Sequence, residues 1–541
     1  MAFEELLSQV GGMGKFQIFQ FFITLPSHMV VVAHILLENF TGAIPGHRCW
    51  VPILDNNTFS DNDTGILSQD ALLRISIPLD SNMKPENCRR FIHPQWQLLH
   101  LNGSIPNTSE PDMEPCVDGW VYDRSSFSST IVTEWDLVCD YRLLKSAAQF
   151  IFMTGMLVGG LIYGYLSDRF GRKLVLLCSY LQMSICETST AFAPTFSIYC
   201  SLRFLAGFSS TVLLSNACIL ALEWIRTQSK PMVIVLTTCA LSVGQIILGG
   251  LAFVFREWRT LQLVLSVPLF AFFLFSRWQV ESARWLIITN KPDKSLKALK
   301  KVAHINGMKN AEGTLNIEVV RSIMQKELDA ARTKTNMWDF FSTPNMRKRT
   351  CLISFMRFAN AVSFYGITLN LQHLGSNIFL LQVLFGVLTL SARFLALFAM
   401  TYMSRRVSEM LFMLLAGLSI LVNTYVPQEM QTVRTVLASV GITFTAAASA
   451  IITLHFVELF PTCLLRIVIY SPRGKAAGLE FLASRTGGAL APLLMALTIY
   501  FTTLPWIIYG VFPIIAGLSV FFLPETKDLP LIDTIQDVEN E

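Results

Sequence analysis

The chain has 541 residues, 52% hydrophobic and 15% charged, with a formal net charge of +4 and a mean hydropathy of +0.49. A soluble chain carries about a quarter charged residues, so this composition excludes a string of soluble domains and points to a polytopic membrane protein. Basic residues gather at the ends of apolar runs rather than in a patch, which leaves no footprint for nucleic acid.

The first 14 residues hold Glu4 and Glu5 and no basic stretch, so the first apolar run is expected to stay as a helix rather than act as a cleaved leader. Spans of about 20 apolar residues cross the hydrocarbon core. Twelve such runs are expected, at 16–37, 146–166, 174–194, 197–221, 232–255, 259–278, 350–371, 377–400, 408–426, 433–456, 477–501 and 505–523. The expected fold is therefore all-α, with twelve transmembrane helices.

Residues 38–140 interrupt the first two runs with 15 acidic and 6 basic residues. They carry four cysteines, Cys49, Cys88, Cys116 and Cys139, and sequons at Asn56, Asn62, Asn102 and Asn107. Acidity, an even cysteine number and sequons fit an oxidising extracellular loop with two disulfides, whose pairing the sequence leaves open. Residues 141–278 supply helices 2–6. Residues 279–349 carry 14 basic and 7 acidic residues and should form amphipathic helices on the cytoplasmic face. Lys294, Lys297, Lys300 and Lys301 lie there at helical spacing beside Leu296, Leu299 and Val302. Residues 350–523 hold helices 7–12 and residues 524–541 a cytoplasmic tail. Residues 1–37, with the first helix, begin inside too, so both termini are expected in the cytoplasm and the chain in the plasma membrane.

The halves repeat. Asp168-Arg169-Phe170-Gly171-Arg172 follows the second run, and Arg405-Arg406 follows the eighth; Arg172 and Arg406 are 234 residues apart. Glu223 and Glu458 close the fourth and tenth runs at an offset of 235, and Glu281 and Glu525 follow the sixth and twelfth at 244. Near-constant offsets imply duplication, two six-helix bundles related by a pseudo-two-fold axis along the membrane normal. Such bundles can rock about a site at their interface. The nine charges Asp168, Arg169, Arg172, Glu223, Glu281, Arg405, Arg406, Glu458 and Glu525 are expected to form a cytoplasmic gate, acids at helix ends pairing with arginines of short loops.

Ionisable residues inside the runs mark a site. Arg485, among small neighbours in Ala483-Ser484-Arg485-Thr486-Gly487-Gly488, offers a forked, permanent cation to a carboxylate or sulfate. Arg393 and Arg357 are further candidates. Arg203 reads as structural, bonding carbonyls of a neighbouring helix. No His/Cys/Glu cluster for a metal and no nucleophile–base pair stands out within the bundle, so no enzyme and no cofactor is expected.

Gly164-Tyr165-Leu166-Ser167-Asp168-Arg169-Phe170-Gly171-Arg172-Lys173 resembles the signature loop of the major facilitator superfamily. Together with the cysteine-bearing first loop, Glu223-Trp224, Glu281-Ser282-Ala283-Arg284, Glu458-Leu459-Phe460-Pro461-Thr462 and Pro524-Glu525-Thr526, the chain resembles the organic anion transporters of solute carrier family 22 along its whole length. The resemblance implies alternating-access transport of a small organic anion (a carboxylate, sulfate or glucuronide) across the bilayer, as uniporter or as exchanger with a counter-anion. It matches Arg393 and Arg485 to the anion-binding cations of helices 8 and 11, Phe364 and Tyr365 to pocket aromatics and Asn39 to a polar pocket position. Three departures stand out: a link from Pro461 to Arg485 longer than the family pattern, Ser404 where a glycine is usual, and Leu220 where related members have proline. Ser404 is expected to resist the turn's backbone angles. The alternative these departures raise is a transporter-like binding or interaction protein that has lost transport.

Overall fold

The computed structural model describes residues 6–8, 10–55, 68–80, 83–99, 112–308, 317–318, 320–322, 325, 341, 343–374, 377–427, 429–460, 477–527 and 539. The four sequons and most of the long link after Phe460, with Arg466 and Arg473, lie outside these residues. Two compact units emerge: residues 40–145 with 256–258, and the rest.

In the smaller unit, strands β1 (His47–Cys49) and β4 (Trp120–Tyr122) pair antiparallel, as do β2 (Arg89–Phe91) and β3 (Met113–Pro115). Two disulfides, Cys49–Cys116 and Cys88–Cys139, resolve the pairing left open by the sequence. Arg90 adds a branch between them, donating to Glu114 at 2.8 Å and Asp118 at 2.6 Å. So small a unit has little core, and covalent staples replace burial.

Among the described residues the larger unit holds twelve long helices, one for every expected run: α1 (Lys15–Leu36), α2 (Leu143–Phe170), α3 (Arg172–Thr190), α4 (Phe196–Glu223), α5 (Lys230–Val254) and α6 (Trp258–Ser276) in the first half. The second half supplies α7 (Pro344–Thr368), α8 (Ile378–Tyr402), α9 (Arg405–Tyr425), α10 (Gln431–Leu459), α11 (Ala477–Met495) and α12 (Leu504–Ser519). Ten of them are long and apolar enough to cross a membrane. The other two, α3 and α7, carry their polar load for identifiable reasons: Glu187 in α3 and Arg357 in α7, both taken up below. Two short helices, Ala283–Ile288 and Pro292–Ile305, follow α6; the second buries Ala298, Leu299 and Val302 and turns its lysines out.

Packing repeats with the sequence. The α1–α5 and α3–α4 contacts of the first bundle recur as α7–α11 and α9–α10 in the second, and α5 packs on α8 across the two. Close approach needs small residues. A Cβ on Gly159 would come within 2.0 Å of the Phe208 carbonyl, so α2 and α4 touch backbone to backbone.

One polar knot ties the first bundle. Arg203 of α4, fully buried, donates from Nη1 to Glu187 of α3 at 3.0 Å and from Nη2 to the His34 carbonyl of α1 at 3.1 Å; Glu38 lies 3.5 Å away. Its guanidinium stands 4.2 Å from the Phe152 ring of α2, and Gln262 of α6 donates to Glu187. Arg203 does reach a neighbouring helix's carbonyl, and it also holds two carboxylates.

The charged turns differ in a way the sequence did not suggest. Gly171 sits at φ +106°, a conformation that strains any residue with a Cβ, and a Cβ there would meet Glu281 at 2.4 Å. Ser404, its counterpart at an offset of 233 that matches Arg172 to Arg405 rather than to Arg406, has φ −70° and ψ 151°, ordinary extended geometry, and its hydroxyl caps α9 by accepting from the Val407 N–H. The expected strain at Ser404 is absent because serine there is an N-cap, a role it fills well.

Two outcomes follow for purified protein in thermal unfolding. Gly171→Ala lowers the midpoint markedly, whereas Ser404→Gly costs only a few tenths of a kcal/mol. Arg203→Met leaves two carboxylates buried without their cation and costs about 3–5 kcal/mol; a midpoint within error of wild type would remove Arg203 from the centre of the bundle.

Candidate functional site

Between the bundles lies a cavity of about 190 Å³. Side chains from both halves line it. Val32, Ile35 and Leu36 come from α1, Leu214 from α4, and Leu241, Ser242 and Gln245 from α5. The second half contributes Arg357, Asn360, Phe364 and Tyr365 from α7, Thr389 and Arg393 from α8, Ala446 and Ser449 from α10, and Arg485 from α11. Five of the six residues singled out from the sequence thus surround one space.

Helical spacing explains the convergence. Arg357, Phe364 and Tyr365 are seven and eight residues apart, two turns along one face of α7. Arg485 stands where Gly487 and Gly488 let α11 press on α7, so its guanidinium reaches Tyr365: Nη1 donates to the phenol oxygen at 3.4 Å. It also lies 4.8 Å from the Phe481 ring and 4.0 Å from the Met156 sulfur. Arg393 makes only a long contact, 3.5 Å, to the Ala446 carbonyl, and its Nε has no partner. Arg357 is tied more firmly, donating to both the carbonyl and the hydroxyl of Ser449 at 2.9 Å and to Thr453. No carboxylate lines the cavity, and neither Arg485 nor Arg393 has an ion pair among the described residues. Three guanidinium groups facing one enclosed, largely apolar space produce a positive field that low-dielectric walls concentrate.

Asn39 does not line the cavity, contrary to the expectation from resemblance. It is buried beyond it, donating to the Thr368 carbonyl at 2.7 Å and to Gln382 at 3.4 Å. The turn at Leu37 separates α1 from the short helix Glu38–Thr41 and carries Asn39 past the cavity wall onto α7 and α8. Beside it Gln149 of α2 donates to the Leu369 carbonyl; Thr389 of α8 bonds Ser242 of α5 at 3.2 Å in the cavity wall itself. Bundle-to-bundle contacts thus close the side of the cavity away from the charged turns.

At the charged-turn end, the ion pairs lie inside each bundle. Arg172 donates to Asp168 at 2.5 Å and lies 4.0 Å from Glu223; Trp285 donates to the Asp168 carbonyl. Arg405 pairs with Glu458 at 3.2 Å, and Thr526 donates to Glu458. Glu281 and Glu525 play one role twice, accepting the N–H groups that open α3 (Arg172, Lys173) and α9 (Arg405, Arg406). Two of the expected gate arginines take no ion pair among the described residues. Arg169 is exposed against the Phe170 ring, and the Arg406 side chain donates to the Phe521 carbonyl.

The paired acids differ electrostatically. Burial, helped by nearby Glu223, holds Glu281 above the usual carboxylate range despite its backbone bonds. Burial also pushes Glu525 up, but less, and the N–H groups of Lys527, Arg405 and Arg406 with the Ser404 hydroxyl bring it below that range.

Sequence reasoning missed the buried acids and histidines. Glu187 and His34 belong to the Arg203 knot, and Glu409 of α9 lies 2.7 Å from His455 of α10 with both side chains fully buried. Single acids inside apolar runs were the available signal.

The family described as "Sugar (and other) transporter" matches residues 125–537. Human "Solute carrier family 22 member 10" is 65% identical over 541 residues, covering 100% of this chain and 98% of that protein. Human "Steroid transmembrane transporter SLC22A24" is 57% identical, covering 100% of this chain and 97% of that one. Among solved structures, the inward-open xylose transporter XylE from E. coli aligns with a TM-score of 0.57 at 18% identity, over 74% of this chain and 89% of that one, a likeness of fold.

The two gate acids predict opposite responses to acid. A carboxylate whose folded pKa is raised binds its proton sooner in the folded state, so Glu281 adds stability as pH falls through its raised folded value. One whose folded pKa is lowered, like Glu525, contributes stability at neutral pH that is lost as pH falls through the folded value. In thermal unfolding across a pH series, Glu281→Gln should abolish the gain on mild acidification, and Glu525→Gln should abolish the loss at lower pH.

Proposed function

This chain belongs to solute carrier family 22, multi-pass transporters of major facilitator fold rather than enzymes, and from that premise we propose that it carries amphipathic organic anions across the plasma membrane by alternating access. The observation that carries the reading is the cavity: Arg485, Arg393 and Arg357 surround it and, among the described residues, no carboxylate lines it. A cationic substrate would meet repulsion there, whereas a sulfate, carboxylate or glucuronide would supply the missing counter-charge.

Arg485 and Arg393 bind the anionic group, being the two with least satisfied donors. Arg357, bonded to Ser449 and Thr453, shapes the wall and adds charge. Tyr365 presents its phenol to Arg485, and Phe364 with Val32, Ile35, Leu214 and Leu241 covers the apolar body. Relatives named as steroid transporters favour a conjugated steroid as that body. Drug-sized ligands occupy about 300–1,000 Å³, more than the 190 Å³ here, so a steroid conjugate enters only when the bundles part.

In this reading the charged-turn end faces the cytoplasm and both termini lie inside. The ion-paired turns keep each bundle's cytoplasmic end rigid, so the bundles move as bodies. The contacts of Asn39 and Gln149 are the seal on the extracellular side, and its opening and closing alternates access.

Uptake of labelled estrone sulfate into cells, with surface protein quantified, tests this. A charge-assisted hydrogen bond contributes about 1.5–3 kcal/mol, so Arg485→Ala should reduce affinity by roughly 10- to 100-fold at unchanged surface level. Unaltered saturable uptake in the variant would remove Arg485 from the site. Surface delivery without uptake of any member of an organic-anion panel would favour a binding protein.

A further inference from the structure

Beside the first charged turn is a second hollow, of about 400 Å³. Its wall is basic. Lys291, Lys294, Lys297 and Lys301 come from the helix Pro292–Ile305 and the residue before it, and Lys173 from the first turn of α3. Spacings of three and four place Lys294, Lys297 and Lys301 on one face, while Ala298, Leu299 and Val302 are buried on another. Lys173 is anchored by donating to the Arg277 carbonyl at 2.8 Å, and Lys291 lies 4.8 Å from the Trp285 ring.

Among the described residues no carboxylate pairs directly with these charges. The acid in the wall, Glu281, spends its oxygens on the N–H groups of Arg172, Lys173 and Ser282, at 3.0–3.2 Å. None of the five lysines has an ion pair among the described residues. A merely solvated basic loop would spread its lysines, whereas here two separate elements aim them at one concavity. The hollow opens beside Phe170, and Trp278 is exposed next to the end of α6. Aromatic side chains at this level are those that sit at a membrane–water interface.

We infer that this hollow binds the multiply phosphorylated headgroup of a membrane lipid, an inference that rests on the reading of this end as cytoplasmic. Several ammonium groups converging on one space suit an anion of more than one charge, and the neighbouring aromatics suit acyl chains leaving the headgroup. A phosphate held between Lys173 and Lys294 ties the start of α3 to the helix after α6 on either side of Glu281. Occupancy therefore braces the first gate and leaves the second untouched.

The test uses the purified full-length chain in detergent micelles, read by thermal unfolding with three probes. These are dioctanoyl phosphatidylinositol bisphosphate, the corresponding inositol trisphosphate without chains, and dioctanoyl phosphatidylcholine. The bisphosphate lipid should raise the midpoint, the free headgroup should do so more weakly, and phosphatidylcholine should leave it in place. Lys294→Gln/Lys297→Gln/Lys301→Gln, at three exposed positions, should keep the unliganded midpoint and lose at least half of the shift. Lys294→Gln alone, with a smaller loss, serves if the triple variant is unstable. No shift in the wild type, or an equal shift in the variants, overturns the inference; an equal shift from the free headgroup overturns the lipid as its source. The readout is binding, so it stands apart from whether estrone sulfate is carried. Orientation is checked separately by labelling Lys300→Cys in intact and permeabilised cells with an impermeant maleimide. Labelling in intact cells would sink the cytoplasmic reading and leave the micelle result to be judged by itself.

Discussion

The first bundle depends on the fully buried cation of Arg203. Arg203 draws α1, α3, α4 and α6 together through His34, Glu38, Glu187 and Gln262, with Phe152 of α2 beneath it. In an apolar interior an unpaired guanidinium is costly, so the pairing and the helix packing require one another. The consequence reaches the site. Val32, Ile35 and Leu36 of the same α1 segment line the cavity, and Asn39, next to Glu38, crosses to α7 and α8. The knot thus fixes one cavity wall and one part of the seal between bundles.

Duplication holds for the acids that open α3 and α9 and is incomplete in the core. Glu281 and Glu525 receive the opening N–H groups of α3 and α9 in the same way. The second bundle has no counterpart of Arg203: Ala438 stands 235 residues later, and the buried ionisable pair there is Glu409 with His455, at a different place in the helices.

The second bundle, less constrained by buried charge, supplies all three cavity arginines. Each is held differently. Arg357 is bonded to α10, Arg485 leans on Tyr365 and Phe481, and Arg393 has little to bond. Donors left unsatisfied inside a protein are costly unless a ligand completes them, which is the ground for proposing Arg393 and Arg485, rather than Arg357, as the groups that engage an anion.

Composition and periodicity were sufficient for the twelve helices, the disulfide-bearing loop and the doubled plan, because run length, charge placement and repeat offset are local or one-dimensional properties. Arg357, Arg393 and Arg485 were legible as well, since a cation inside an apolar run is conspicuous. What tertiary structure decided is which side chains meet. Cys49 pairs with Cys116 rather than with a nearer cysteine, Asn39 passes beyond the cavity, Ser404 caps a helix, and Arg169 and Arg406 turn away from the acids. Those outcomes depend on helix rotation and on approach between segments hundreds of residues apart, and a single turn such as that at Leu37 redirects everything after it. The linear sequence determines which residues must be buried or charged; only the packed helices determine their partners, because each pairing is a property of two surfaces at once.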